Sequence, residues 1–260
     1  LASIGCGIIG SYVVVMRIGF LAGGISHTVL GGMGIALYLG LNPIGGALVT
    51  ALLAALLIGW VSLQWKERED TLIGAFWAIG MATGILFISQ TPGYNVNLLS
   101  YLFGNILMVT TAELWGMGLM DLLIAGVVLL CYRQFLAVSF DEEFARLRGV
   151  PVTFFYLLLL CMVAVTVVLL IQVVGLILVI ALLTLPAAIA GQYVKSLGKM
   201  MLLATLLGIC FSVLGLMISY SPDLPAGSTI ILVAGAAYIL STIFTITWQR
   251  NRARYANGAN

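Results

Sequence analysis

The sequence predicts an all-α membrane protein, a polytopic bundle of about eight or nine transmembrane helices with one short helix outside the bilayer. Hydrophobic residues fill 62% of the 260 positions and charged residues 8%, whereas an ordinary soluble domain has roughly 25% charged residues. The apolar residues form long continuous runs without the alternation that barrel strands need. Because each crossing takes about 20 helical residues, we expect one transmembrane domain over residues 1–260.

Roughly nine apolar runs follow one another along the chain, and turn residues separate them. The first run ends at Arg17 and has no basic segment before it, which is not the layout of a cleavable signal peptide. We expect that residues upstream of Leu1 are missing and that this run is the remainder of a first span. In order, the runs cover residues 1–16, 21–40, 44–63, 71–89, 114–136, 152–170, 173–190, 199–219 and 228–248.

The basic residues predict the orientation of the helices. Cytoplasmic connections of membrane proteins carry an excess of lysine and arginine, and two apolar runs separate each basic place from the next. We therefore expect the tail over residues 249–260 to be cytoplasmic and the alternate connections to face outside. The basic places are Arg17; Lys66 and Arg68; Arg133, Arg146 and Arg148; Lys195 and Lys199; and Arg250, Arg252 and Arg254.

Several function classes are excluded by composition and by missing motifs. The net charge is only +2, which is too small for a nucleic-acid-binding protein that neutralises phosphates. The sequence contains no phosphate-binding loop, zinc-protease motif or nucleophile elbow. The four cysteines are far apart and lie in apolar runs, so we interpret them as packing residues. We therefore predict neither ATP hydrolysis by this chain nor another enzymatic activity of a known motif type.

Glycines predict close helix packing. Gly19 and Gly23, and likewise Gly80 and Gly84, are four residues apart in apolar runs, a spacing that lets helix backbones approach closely in lipid. The second and seventh runs also contain helix-breaking residues, Gly31-Gly32 and Pro186. Paired interruptions in the two halves of a membrane protein are a weak sign of a central pathway.

His27 and Asp121 are the two ionisable residues that lie inside apolar runs and could carry chemistry. His27 is the only histidine, and its imidazole could offer a nitrogen to a divalent metal or form a hydrogen bond with a neighbouring helix. Asp121 follows a predicted capping box of Thr110 and Glu113 by about two helical turns. Its carboxylate could be paired structurally or lie in a pathway.

A short amphipathic helix is predicted over residues 139–149, on the cytoplasmic side. Ser139 and Glu142 match a capping box, apolar residues recur at helical spacing, and Gly149 ends the helix. It could lie on the membrane surface or dock into a cytosolic partner. The acids at its start favour the partner, since an anionic leaflet would repel them. The apolar stripe consists of Phe140, Phe144 and Leu147, and the acids are Asp141, Glu142 and Glu143.

Several ordered motifs resemble permease subunits of bacterial ABC importers for zinc, manganese and iron. Ser26-His27 is similar to the family's Ser-His pair, and the segment from Leu102 to Leu107 to its central LFG motif. Residues 9–14 resemble the end of its first span, residues 140–149 its coupling segment, and residues 174–187 its late proline-containing span. The resemblance covers nearly the whole chain, from residue 1 to about residue 246. At two positions the chain departs from the family pattern: Gly23 replaces an acid and Gly31 a proline.

This resemblance implies a membrane-spanning subunit with no permanently bound cofactor that transports a divalent metal ion. Its partners would be a second permease copy, a cytosolic ATPase dimer and an extracytoplasmic metal-binding protein, all at a bacterial or archaeal inner membrane. His27 and Asp121 would contact the metal in transit. The residues that would contact the ATPase are Phe140, Asp141, Glu142, Phe144, Ala145, Leu147 and Gly149.

Two alternatives remain open at this point. A permease for a metal chelate, of the siderophore or cobalamin class, would need a wider pathway with fewer ligands. A carrier driven by an ion gradient, or a channel, would use Asp121 as its protonatable group.

Overall fold

The computed structural model describes residues 1–65, 69–91, 104, 106–220 and 224–257. These residues form eleven α-helices, and the first half of them is numbered here in chain order. They are α1 (Ala2–Val15), α2 (Gly19–Tyr38), α3 (Pro43–Gln64), α4 (Glu69–Ser89), α5 (Thr111–Leu130) and α6 (Tyr132–Phe140). A 3-10 turn, Ile106–Met108, precedes α5.

The second half contains one very short helix and four long ones. They are α7 (Glu142–Leu147), α8 (Val152–Val174), α9 (Leu176–Tyr193), α10 (Leu197–Tyr220) and α11 (Ala226–Asn257). Eight helices, α2 to α5 and α8 to α11, are long and apolar enough to cross a membrane, and α1 is a shorter apolar helix. The predicted all-α bundle of eight or nine crossings is confirmed.

The bundle is arranged around α2, α8 and α9. Helix α2 packs between α3 and α4, α8 packs against α3, and α1 packs against α9 and α10, while α11 covers α9 and α10. The largest core cluster runs through these contacts and contains side chains such as Tyr12, Ile25 and Leu160. Hydroxyl groups inside it donate to carbonyls one turn back in their own helices, as Ser11 does to Gly7 and Ser26 to Ala22, at 2.7 Å each. These bonds leave no unpaired hydroxyl at either serine.

The start of α5 confirms the capping box predicted from Thr110 and Glu113. The Thr110 hydroxyl accepts a hydrogen bond from the Glu113 backbone N–H at 3.3 Å, and the Glu113 carboxylate accepts one from the Thr110 N–H at 2.8 Å. The predicted run over residues 114–136 is wrong at its end, however. The chain leaves regular helix at Cys131, and α6 then continues to Phe140.

Ser139 does not cap the next helix, contrary to the sequence prediction. It lies inside α6, and its hydroxyl donates to the Phe135 carbonyl at 2.7 Å. Asp141 is the cap instead, because its carboxylate accepts from the Phe144 backbone N–H at 2.9 Å. The predicted single helix over residues 139–149 is therefore the end of α6, a corner at Asp141, and the six-residue helix α7.

The two expected interruptions do not break their helices. Helix α2 runs continuously through Gly31 and Gly32, and α9 continues through Pro186. Packing against neighbouring helices supports glycine and proline inside membrane helices. The chain turns instead at Gly175, where φ is +79° and α8 passes directly into α9. Of the predicted LFG motif, Gly104 is described, while residues 102, 103 and 105 lie outside the described residues.

Candidate functional site

His27 lies at the contact between α2 and α4. Its ring stacks on the indole of Trp77, with 3.9 Å between ring centroids and 13° between ring planes. The side chain is only 8% exposed, and its Nδ1 atom is buried with no hydrogen-bond partner among the described residues. A buried polar atom without a partner is unusual in a folded protein. The contact between α2 and α4 provides no hydrogen-bond partner for this nitrogen, which is therefore available to bind a ligand.

The hydroxyl groups beside His27 already have partners in the helices. Thr28 donates to the carbonyls of Gly24, at 2.8 Å, and Phe76, at 3.3 Å. At residue 23, where the resemblance leads one to expect an acid, a Cβ atom would lie 3.6 Å from Trp77. The chain therefore presents an aromatic ring to His27 and no carboxylate from its own helix face.

Glycines set the distance between α2 and α4. A Cβ atom on Gly34 would lie 2.6 Å from the carbonyl oxygen of Gly84, and one on Gly80 would lie 2.6 Å from the Cα atom of Thr28. A Cβ atom on Gly31 would lie 2.9 Å from the carbonyl oxygen of Gly80. The prediction of close packing is confirmed for Gly80 and Gly84.

The same prediction is wrong for the other glycine pair. Cβ atoms on Gly19 and Gly23 would meet only side-chain atoms of other residues, at 3.6 Å or more. These positions fit an ordinary side-chain contact, because α2 faces Thr184 and Trp77 there and not a neighbouring backbone. Spacing of four residues alone does not distinguish the two situations.

Asp121 lies on α5 and contacts a different helix from His27. A Cβ atom on Gly5 of α1 would lie 2.7 Å from its Oδ1 atom and 3.6 Å from the methyl group of Thr166. Its Oδ2 atom is buried without a hydrogen-bond partner among the described residues. In the described part of the chain, no three His, Cys, Asp or Glu side chains group closely enough to hold a metal ion. His27 and Asp121 are thus separate polar positions, and each has a buried atom without a hydrogen-bond partner among the residues that the structure covers.

Large apolar side chains are exposed on the surface of the protein at the corner between α6 and α7. Phe140 is 63% exposed, Phe144 48% and Leu147 87%, whereas Ala145 is fully buried. Phe140 belongs to α6, so the predicted stripe of one helix is wrong, but its members lie on both sides of the same corner. We name this surface, formed by Phe140, Phe144 and Leu147, the corner surface.

Local interactions hold the corner surface in place. Ala145 anchors α7 against the body of the protein, and the guanidinium of Arg148 lies 5.0 Å from the ring centre of Phe144. Gly149 has φ of +76°, which ends α7 and turns the chain towards α8. The acids Glu142 and Glu143 occupy the first turn of α7, and Asp141 caps it. The surface is therefore apolar residues flanked by charged ones.

The sequence prediction missed Trp77, although a signal for it exists. Ile73, Trp77, Gly80 and Gly84 follow one another at spacings of four, three and four residues, so they share one face of α4. Gly24, His27, Gly31 and Gly34 share a face of α2 in the same way. Placing these two faces against each other would have brought Trp77 to His27. No comparable pattern identifies Gly5 as the neighbour of Asp121.

Comparisons with known proteins support one family. The model of the ABC 3 transport family matches residues 1–245. The chain is 50% identical over 244 residues to the membrane protein slr2045 of Synechocystis, covering 94% of this chain and 87% of that protein. It is 34% identical over 264 residues to the manganese transport system membrane protein MntC of Halalkalibacterium halodurans, covering 98% of this chain and 89% of MntC.

A solved structure agrees with the sequence comparisons. PsaBC from Streptococcus pneumoniae, determined in complex with a Fab, matches with a TM-score of 0.82 and 34% sequence identity. The match covers 92% of this chain and 86% of the solved one.

Proposed function

The chain belongs to the ABC 3 transport family and is a multi-pass metal-transport permease, and on this premise we propose that manganese is the ion it carries. The match to MntC over almost the whole chain is the observation that carries the choice of metal. Zinc and iron, which imidazole and carboxylate groups also bind, are the competing ions. A metal chelate is the alternative cargo, and the relatives whose names state a cargo are named for a metal or for manganese.

We propose that a separate cytosolic ATPase dimer drives transport and that the permease itself performs no catalysis. The corner surface supports this division of labour. Its exposed aromatic and aliphatic side chains form a compact apolar projection with acids at one end and arginines at the other, which fits a complementary groove in a protein partner. Ala145 of α7 is packed against the bundle, so a movement of α7 caused by the ATPase would push on the bundle through Ala145.

The remaining partners and the orientation are parts of the same proposal. Two permease copies would form the pathway, and an extracytoplasmic binding protein would deliver the ion. The basic residues support an orientation in the inner membrane of a bacterium or archaeon with the C-terminal tail, residues 249–260, in the cytoplasm. Residues 1–260 would form one transmembrane domain.

His27 and Asp121 are the proposed contacts for the ion in transit. Among the residues that the structure describes, a buried ring nitrogen of His27 and a buried carboxylate oxygen of Asp121 have no hydrogen-bond partner. One nitrogen ligand and one oxygen ligand, on different helices, suit brief contacts better than a tight site, which would need several ligands at once.

Uptake into vesicles tests the transport proposal. The permease, reconstituted with its ATPase subunit and binding protein, should take up radioactive manganese only when ATP is present on the ATPase side. Zinc, ferrous iron and a ferric chelate are offered as competitors. Uptake that depends on a proton gradient and not on ATP would refute the ABC mechanism, and a stronger response to zinc, iron or the chelate would refute manganese as the cargo.

The corner surface provides a test of coupling. Phe144→Ala should abolish most manganese uptake while ATP hydrolysis and protein abundance stay near wild type, because Phe144 contacts the partner and not the core. Interface aromatic residues commonly contribute about 2 kcal/mol or more to binding. Uptake and hydrolysis are measured on the same vesicles. Phe154→Ala is the matched control, since Phe154 is 58% exposed on the membrane-spanning helix α8; equal effects of the two variants would contradict the docking role.

A further inference from the structure

A second feature of the molecule, separate from the two polar positions and sharing only Phe140 with the corner surface, is a cavity of about 440 Å³ beside the loop between α9 and α10. Val14 and Val15 at the end of α1, and Leu197 and Met200 at the start of α10, form its apolar walls. Phe140 lies at its edge. Three of the five helices that line it, α9, α10 and α11, are candidate membrane spans. Because its lining residues include the ends of α1 and α9 and the start of α10, the cavity lies at one end of the bilayer-spanning region.

The polar residues in the cavity carry positive charge and no negative charge. Lys195 is the one charged residue among those that line it, and Ser196 and Tyr238 add hydroxyl groups. Lys195 and Ser196 are both exposed at its mouth. An ammonium group with neighbouring hydroxyls recognises a phosphate oxygen, and the absence of a lining acid leaves that attraction unopposed.

The side chain of the fourth polar residue, Gln192, already forms hydrogen bonds within the protein. Its carboxamide oxygen accepts hydrogen bonds from Ser241 at 2.7 Å and Thr245 at 3.2 Å, and its nitrogen donates to Thr242 at 3.1 Å. These bonds join α9 to α11 and fix the back of the cavity. Lys195 and Ser196 are therefore the residues that would meet a ligand at the mouth.

We propose that this cavity binds one anionic phospholipid. The phosphate of the lipid would lie at Lys195 and Ser196, and its acyl chain would run along Val14, Val15 and Met200. A charged mouth and apolar walls at the end of membrane-spanning helices match a molecule with a phosphate headgroup and a hydrocarbon chain, and they do not match a small soluble anion, which would leave the walls empty. This inference depends neither on the transported metal nor on the ATPase.

Lipid retention tests the proposal. The full-length permease, alone and with its ATPase subunit, is placed in nanodiscs that contain phosphatidylglycerol and phosphatidylcholine, and the lipids retained per protomer are counted by native mass spectrometry. A photoreactive phosphatidylglycerol should label peptides from residues 188–200. Lys195→Gln should lower retention of phosphatidylglycerol about fivefold, the effect of one lysine near an anionic headgroup, and Lys195→Arg should restore it.

Two further variants separate the cavity from the general charge of the surface. Lys199→Gln removes the same charge four residues later, from an exposed side chain that does not line the cavity, and should leave retention unchanged. Ala188→Phe fills part of the cavity and should reduce labelling while Lys195 is intact.

Four results would overturn the proposal. They are equal losses for Lys195→Gln and Lys199→Gln, equal labelling by a photoreactive phosphatidylcholine, displacement of the lipid by glycerol phosphate at comparable concentration, and loss of labelling whenever the ATPase subunit is bound. The last result would assign the cavity to the protein partner.

Discussion

Helices α2 and α5 have the same length and nearly the same apolar character, yet α2 is mostly buried in the bundle and α5 is not. Both have 20 residues. Fifteen residues of α2 are buried, compared with three of α5. Apolar length therefore predicts that a helix crosses the membrane, but not whether it faces protein or lipid.

The glycines of the two helices explain the difference. Cβ atoms on Gly31 and Gly34 of α2 would collide with the backbone of α4, whereas Cβ atoms on Gly116, Gly118 and Gly126 of α5 would meet nothing within 4 Å. A glycine brings helices together only where another backbone occupies the space of its missing side chain. Close packing therefore depends on the residues of the neighbouring helix as well as on the glycines of the helix itself.

The largest expected effect tests this explanation directly. Gly34→Leu should destabilise the folded permease by about 3 kcal/mol or prevent its accumulation, because the new side chain would overlap the backbone of Gly84. Unfolding is followed by denaturant titration in detergent. Gly118→Leu is the matched control and should leave stability near wild type. Equal destabilisation by the two variants would show that the glycines do not account for the difference in burial between α2 and α5.

The second effect concerns the polar residue of α2. His27→Ala should lower the initial rate of manganese uptake about tenfold, a loss common when a metal-binding arrangement is disturbed, with little change in protein abundance. His27→Phe keeps an aromatic ring on Trp77 but has no nitrogen, so it should lose uptake to the same extent. Normal uptake by His27→Phe would assign the imidazole a packing role only.

The polar residue of α5 should contribute less. Asp121→Asn keeps the shape beside Gly5 and removes the charge, so we expect uptake to fall by no more than about fivefold, the equivalent of about 1 kcal/mol. Uptake is measured over a range of manganese concentrations to separate affinity from maximal rate. A loss larger than that of His27→Ala would make α5, and not α2, the more important helix for the ion.

The smallest effect probes the exposed face of α5. Trp115 is 77% exposed, and Trp115→Ala should change the free energy of unfolding by about 0.5 kcal/mol or less if lipid covers that face. Crosslinking of the permease in membranes is measured in parallel. A large loss of stability together with loss of a crosslinked dimer would show that a second copy covers α5, and the contrast with α2 would then apply only to a single chain.

Much of the fold could be predicted from the sequence because long apolar runs identify membrane helices. The predicted runs correspond to α1 to α5 and α8 to α11, and the capping box at Thr110 is in place. The corner between α6 and α7 was harder, because Ser139 and Asp141 are both good capping residues. The choice between them depends on where α6 ends, and the structure places that end at Phe140.

The sequence predicts which residues form the candidate site better than it predicts their neighbours in the structure. His27 and Asp121 are conspicuous as ionisable residues in apolar runs, and each has a buried atom with no hydrogen-bond partner in the described part of the chain. Their neighbours Trp77 and Gly5 come from helices distant in sequence, and contacts of that kind depend on how the helices pack. The exposure of Phe144 and Leu147 was foreseeable from their amphipathic spacing, whereas the anchor at Ala145 was not.

The backbone contact between α2 and α4 also limits how the molecule can move. Two helices whose glycines interlock with each other's main chain cannot slide or rotate independently without opening a gap or creating a collision. They should travel as one rigid body during any change of shape. Opening and closing of a pathway beside His27 would therefore take place away from this contact, where α2 meets its neighbours through side chains, as it does at Gly19 and Gly23.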